Sequence, residues 1–272
     1  MSHPLDGSYA KLGRAEEHLE TLQRDVAVWL DGKPYPVEAN FNTETGECLL
    51  RVRVTKEPPI DWGLLVGEIV HNWRAALDHL VYQLTLRRVG RGLPRTEFPV
   101  FDDPTSFRRR TKKGKADMTS GFYKLRGLRP VDIAVIERLQ PYGTGKQFVH
   151  SHPLGILHDL DVVDKHRTLN LVGHGVGTFG LGISVLDGYD LWIDYVTSHR
   201  PLKDRTMVGR LVLTPRKPNA KVEMRPELTT EIQFGKGSAR VEGAPLLSTL
   251  LGIQCFMEEW VFNEYWERVF AS

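Results

Sequence analysis

The chain has 272 residues, enough for one large domain with a sizeable core or two small ones. Its 41% hydrophobic, 26% charged and 9% aromatic content is that of an ordinary globular protein, and two distant cysteines, Cys48 and Cys255, exclude a disulfide framework or a CxxC zinc pair. Scarce cysteine, no apolar signal core in MSHPLDGSYAKLGRAEEHLE and no run of about 18 apolar residues set the expectation of a cytoplasmic protein without a membrane span.

Residues 8–30 are predicted helical, with Leu12, Leu19, Leu22 and the group Val26, Val28 and Trp29 near helical spacing. Pro34 and Pro36 in DGKPYP stop that helix. Residues 36–56 then alternate about TETGE, which predicts a β-hairpin ended by Pro58 and Pro59. Residues 60–86 are predicted as a central helix, capped by Asp61, with Leu64, Ile69, Trp73, Ala76, Leu77, Leu80 and Leu84 as its buried stripe.

Residues 87–129 lack periodicity and hold thirteen Lys and Arg against four acids, a local excess of nine positive charges. With a whole-chain charge of +2, the remainder carries −7. A basic segment on an acidic body can attract a polyanion such as RNA, and Arg108, Arg109, Arg110, Lys112, Lys113 and Lys115 are the candidate nucleic-acid contacts. The alternative is a solvated loop without a partner.

Helical pattern returns at 129–142, stopped by Pro141, and at 152–172; together they make 129–172 helical. After GHGVG the period becomes two, predicting an antiparallel sheet over 175–242 with a hairpin turn at Asp187–Gly188. The chain closes with a long helix predicted over 244–270, broadly apolar and with Pro245 in its first turn. The fold class is therefore α+β, a helical bundle with an antiparallel β-sheet in a single domain.

Two segments carry candidate chemistry. In HNWRAALDHL, His71, Arg74 and Asp78 share one helix stripe, while Asn72 and His79 share an adjacent one. In HDLDVVDKHR, Asp164 and Arg167 are expected to turn toward the 60–86 helix, Asp164 pairing with Arg74 and Arg167 with Asp78. His71, Asp164, His166 and Arg167 form the second candidate cluster.

Arg74, four intervening residues and His79 resemble the R-x4–6-H motif of HEPN domains, helical bundles that often act as metal-independent ribonucleases. That resemblance implies a HEPN-like bundle, a homodimer, His79 as general base or acid and Arg74 as phosphate clamp, with Asp78 or Asn72 orienting the pair. Such chemistry needs a group that titrates near neutrality and a fixed cation for the developing charge. Ala75 departs from the polar residue that often follows the arginine in those ribonucleases. More broadly, HNWRAALDHL followed by LHDLDVVDKHRTL is similar to a group of uncharacterised bacterial and phage proteins with both signatures, a likeness that implies no biochemical role.

The functional expectation is RNA binding or metal-independent RNA cleavage, without a cofactor. One alternative is a non-catalytic binding or structural protein whose Arg, Asp and His residues form a buried network. A third reading, a metal-dependent hydrolase, would draw on His71, His79, His158, Asp161, Asp164 and His166, although no HExxH or CxxC spacing occurs. There is no GxSxG elbow, and GHGVGTFGLG follows a helix and precedes a strand, the reverse of a phosphate-cradling loop.

Overall fold

A computed structural model describes residues 3–187, 189–196, 202–215, 221–237, 240–262, 266 and 269–270. Helix α1 (Asp6–Asp31) buries Ala15, Leu19, Leu22 and Val26, spaced to line one face. Strands β1 (Val37–Phe41) and β2 (Glu47–Val52) form the expected hairpin, its turn held by Asn42 Oδ1 accepting from the Glu44 N–H at 2.9 Å. Cys48, Leu50 and Val52 face inward, with the period of two that a half-buried strand requires.

Helix α2 (Ile60–Val89) runs three residues past its expected end, until Gly90 takes up φ 76° and closes it. Asp61 lies inside the first turn rather than at the cap position, which Pro59 occupies, so it acts on the helix dipole. Leu64, expected in the buried stripe, is exposed. Helix α1 lies antiparallel to α2: Ser8 Oγ donates to the Ala76 carbonyl, and Trp29 meets Trp62 edge-on at the other end.

The basic region is a solvated loop only over 108–115, where every residue is exposed; its flanks are packed. It forms two one-turn helices, α3 (Pro104–Phe107) and α4 (Gly121–Lys124), capped by the Asp103 and Ser120 side chains. Phe98, Phe107, Leu125 and Leu128 are buried, and the Phe107 ring meets Phe101, Phe122 and Tyr142 edgewise. These aromatics, scattered without period, anchor the segment to the helical core.

Helix α5 (Pro130–Arg138) is followed by short 3-10 turns, and α6 (Pro153–Asp164) ends eight residues before the predicted 172. The cause is a change of period: Leu169, Leu171 and Gly173 are buried at alternate positions, the pattern of a strand. The remaining strands are β3 (Leu171–Asp187), β4 (Tyr189–Val196), β5 (Met207–Pro215) and β6 (Lys221–Phe234).

They do not make one sheet over 175–242. Strand β3 pairs antiparallel with β6 as a long ribbon, while β4 and β5 join the hairpin in a second sheet of order β1-β2-β5-β4. The strands on either side of residue 188 thus belong to different sheets, because each finds its partner far along the chain. Helix α7 (Leu246–Phe256) widens into a π-turn at Met257–Val261, so the predicted 244–270 helix is interrupted. The Trp266 indole N–H donates to the Val261 carbonyl at 2.6 Å, satisfying an acceptor left open by that turn.

The larger core joins α1, α2, α6, α7 and the basic segment. A smaller one lies beneath the inner face of the four-stranded sheet, around Tyr35, Leu50 and Leu211. No described helix is long and apolar enough to cross a membrane.

Candidate functional site

The two stretches singled out in the sequence meet along the seam between α2 and α6, through partners other than those expected. Arg74 is nearly closed off from solvent, and its Nη2 donates to Asp78 Oδ1 at 3.2 Å and to the Phe98 carbonyl. Asp78 Oδ1 in turn accepts the Phe98 N–H at 2.8 Å. One arginine and one carboxylate thus clamp both polar groups of a backbone unit in the 90–103 segment. Burial pushes the Asp78 carboxyl up, and Arg74 and the Phe98 hydrogen bond only partly oppose this. Neither anticipated ion pair forms: Arg167 donates to the Gly237 carbonyl, and Asp164 lies against Gly67.

His79 is exposed and sits beside Gly7 of α1, away from the Arg74 clamp. His166 is exposed beyond the end of α6, and Lys165 pairs with the buried Asp161 at 2.6 Å. The HNWRAALDHL residues are therefore divided among three surroundings.

His71 and Asn72 line an open groove of about 720 Å³ between α1, α2 and the end of α6. Asp164 enters it from α6, and Lys11, Arg14 and His18 enter from α1. Lys11 Nζ donates to Asn72 Oδ1 at 3.1 Å, and the Asn72 amide donates to the Glu68 carbonyl, which fixes its orientation. His18 Nε2 lies 3.4 Å from Glu68 Oε2. Burial and the nearby Asp161 push the Asp164 carboxyl up, opposed by His71. Two imidazoles, two carboxylates and two cations thus share one concavity.

Sequence reasoning missed the α1 contribution, although a signal for it exists. Lys11, Arg14 and His18 recur at i, i+3 and i+7 beside the buried stripe of the same helix. Gly67 makes room for the acid opposite it. A β-carbon there would lie 2.5 Å from Asp164 Cγ, so only glycine admits the carboxylate this close to α2.

Much of the basic segment's charge is engaged internally. Arg108 pairs with Glu137 at 2.6 Å, Arg109 donates to Ser106 Oγ and Arg110 to the Gly114 carbonyl. Lys124 pairs with Glu97, and Arg126 stacks over the Tyr123 ring. Lys112, Lys113 and Lys115 remain exposed at the tip of a small loop closed by the Arg110–Ala116 bridge.

A second cavity, of about 390 Å³, lies at the other end of α6, lined by Arg109, Asp102, His158, Asp159 and Arg240. Arg240, which no local pattern flagged, ties Asp159 at 2.7 Å to Asp102 at 2.6 Å. Burial and the charge of Arg74 push the His158 imidazole down. Among the described residues no group of three or more His, Cys, Asp or Glu is placed to hold a metal ion. Comparison of the chain with protein-family models, curated proteins and solved structures returns no match.

Proposed function

We propose that the protein binds single-stranded RNA and cleaves it without a metal, on a HEPN-like helical core, with the α1–α2–α6 groove as the reacting site. The observation that carries this reading is the convergence of His18, His71, Lys11 and Arg14 on one open concavity. Two imidazoles are sufficient for cleavage by the neighbouring 2′-hydroxyl. One takes the hydroxyl proton as that oxygen attacks phosphorus, and the other delivers a proton to the departing 5′-oxygen. The products are a 2′,3′-cyclic phosphate and a 5′-hydroxyl. Lys11 and Arg14 offset the charge that builds on the phosphoryl oxygens. Glu68 and Asp164 orient the imidazoles. Arg74 and His79 are left out of the reacting set, since one is tied to the Phe98 backbone and the other sits beside Gly7.

The test is cleavage of end-labelled RNA in EDTA by the full chain. The exposed His71→Ala is expected to abolish cutting while Tm is unchanged, and His18→Ala to do the same with a small loss of stability. Cutting that persists in both variants removes the groove from the mechanism. Saturable binding without cutting by the unmodified protein favours the non-catalytic alternative, for which the closed Arg74–Asp78–Phe98 clamp is the supporting observation.

A further inference from the structure

The solvent face of the four-stranded sheet holds an arginine-lined concavity that shares no residue with the groove. Register alone determines who stands there. Cys48, Leu50 and Val52 face the smaller core, so Arg51 points outward, opposite Glu38 of β1 and Met207 of β5. Arg53 continues that side beyond the strand end. Arg205, with φ 63° and its N–H donating to the Val52 carbonyl at 2.8 Å, comes in from the turn before β5. Together with Asn40 and Asp204 these side chains enclose about 500 Å³.

The charges in this concavity are not balanced pair by pair. Arg53 meets Glu38 at 3.2 Å, and Asp204 Oδ1 accepts the Val54 N–H at 3.1 Å. Arg51 and Arg205 have no ion-pair partner among the described residues. Three guanidinium groups against two carboxylates leave one net positive charge, which matches a monoanionic phosphodiester better than a phosphomonoester of charge about −1.5 to −2. Guanidinium forks suit such oxygens because they donate in pairs.

The same face continues to Trp192 of β4, which is 72% exposed. Trp192 pairs with Val212, which pairs with Glu47, so it lies two strands over and four residues along from Arg51. That separation is roughly 16 Å at the usual strand spacing and rise. An indole this open on a strand offers a stacking platform for a base.

We propose that the concavity binds one phosphodiester of single-stranded RNA, gripped by Arg51 and Arg205, while Trp192 stacks a base farther along the strand. The RNA source rests on the function proposed above; the phosphodiester site itself does not.

The experiment has two arms on the full chain. In the first, arginine Nε–Hε NMR signals are followed while dimethyl phosphate, and separately inorganic phosphate, is added. The Arg51 and Arg205 signals are expected to shift, more strongly with dimethyl phosphate; no shift with either overturns the site. In the second, anisotropy of a labelled oligouridylate is measured against salt. Arg51→Ala/Arg205→Ala is expected to weaken binding at least about tenfold and to lower the salt slope by about 0.7, the share of one single-strand phosphate, while Trp192→Ala weakens RNA binding but leaves the dimethyl phosphate shifts intact. Arg51→Lys/Arg205→Lys, which keeps charge and fold, should retain the slope yet lose affinity. Phosphate shifts with unaltered RNA affinity in the double alanine variant overturn RNA as the source. Phosphate shifts in a protein that neither binds nor cuts RNA overturn the proposed function and leave the site standing.

Discussion

Replacing Arg74 by methionine separates a structural arginine from a phosphate clamp. The substitution removes the donor to the Phe98 carbonyl and to Asp78 Oδ1 while roughly keeping the side chain's length. Breaking a buried ion pair costs about 3–5 kcal/mol, and a hydrogen bond from a charged donor contributes about 1.5–3 kcal/mol. The Asp78 side chain is 38% exposed, so water relieves part of the stranded charge. A loss of about 3 kcal/mol follows, near the bottom of the ion-pair range. In a domain this large that lowers Tm by about 6–12 °C. The deficit should shrink as pH falls through the carboxylate range. Asp78 already ionises reluctantly because of burial, and without Arg74 it binds its proton at higher pH in the folded state than in the unfolded chain. Folded protein then holds more protons than unfolded protein, so acidification favours folding of the variant relative to the parent. Asp78→Asn keeps an acceptor for the Phe98 N–H but leaves the Arg74 guanidinium, the more buried of the two charges, without its counter-charge, so it too should destabilise the fold. Urea titrations at several pH values provide the measurement. An Arg74→Met protein with unchanged stability but no RNA cleavage would refute the reasoning and restore Arg74 to the reacting site.

Gly67→Ala should destabilise the fold by up to about 2 kcal/mol: overlap of its methyl group with the Asp164 carboxylate costs about 1–3 kcal/mol, and alanine's better helix propensity offsets about 1 kcal/mol of it. Asp164→Ala in the same chain should recover most of that loss, and additive losses in the double-variant cycle would disprove the contact. His152, buried at the start of α6 with Nδ1 accepting the Leu154 N–H, has its imidazole pushed down to about 4 by burial and by Arg240. Its stabilisation is complete above the unfolded value near 6.5 and is lost as pH falls toward 4, up to about 3 kcal/mol. His152→Asn keeps a cap acceptor and should flatten the Tm profile between pH 6.5 and 4; an unaltered profile would show that His152 does not drive acid sensitivity.

The helices and the first hairpin were legible because each buries one periodic face. The α1 stripe of Ala15, Leu19, Leu22 and Val26 and the β2 alternation of Cys48, Leu50 and Val52 are local patterns with local causes. What escaped was set by distant partners. Whether β4 follows β3 in a hairpin or leaves for another sheet depends on β5 and β6, and Asp187–Gly188 carries no trace of that competition. The basic segment was opaque for a related reason, since Phe98 and Phe107 are buried singly, without a period to reveal them. At the site, Asp164 is the one residue of DKHR that lines the groove with His71, and the pairs expected from spacing, Asp164 with Arg74 and Arg167 with Asp78, do not form. Helical spacing says which residues share a stripe and nothing about which carbonyl or glycine lies opposite. Arg240 and Arg205 stand in loops, where no periodicity exists to read.

The α2–α6 seam explains why residues on one stripe have such different roles. Along α2, Gly67, His71, Arg74 and Asp78 succeed one another at three- and four-residue steps, and Asp164 packs against the first of them. From His71 to Asp78 the helix rises about 10 Å, so a stripe that is one face in projection is two places in space. At the Asp78 end the 90–103 segment closes over the seam, and its Phe98 backbone engages Arg74 Nη2 and the Asp78 carboxylate together, while Arg74 Nη1 is buried without a hydrogen bond. At the Gly67 end nothing comparable covers it among the described residues, and α1 adds Lys11, Arg14 and His18 to an open rim. Charges that are already paired and nearly dry are costly to redirect toward a ligand, whereas half-solvated groups around a groove can exchange water for phosphate oxygens. A phosphate ligand is therefore accommodated at less cost at the open end of the seam, beside Lys11 and His71, than at the closed end, where Arg74 and Asp78 tie α2 to the 90–103 segment.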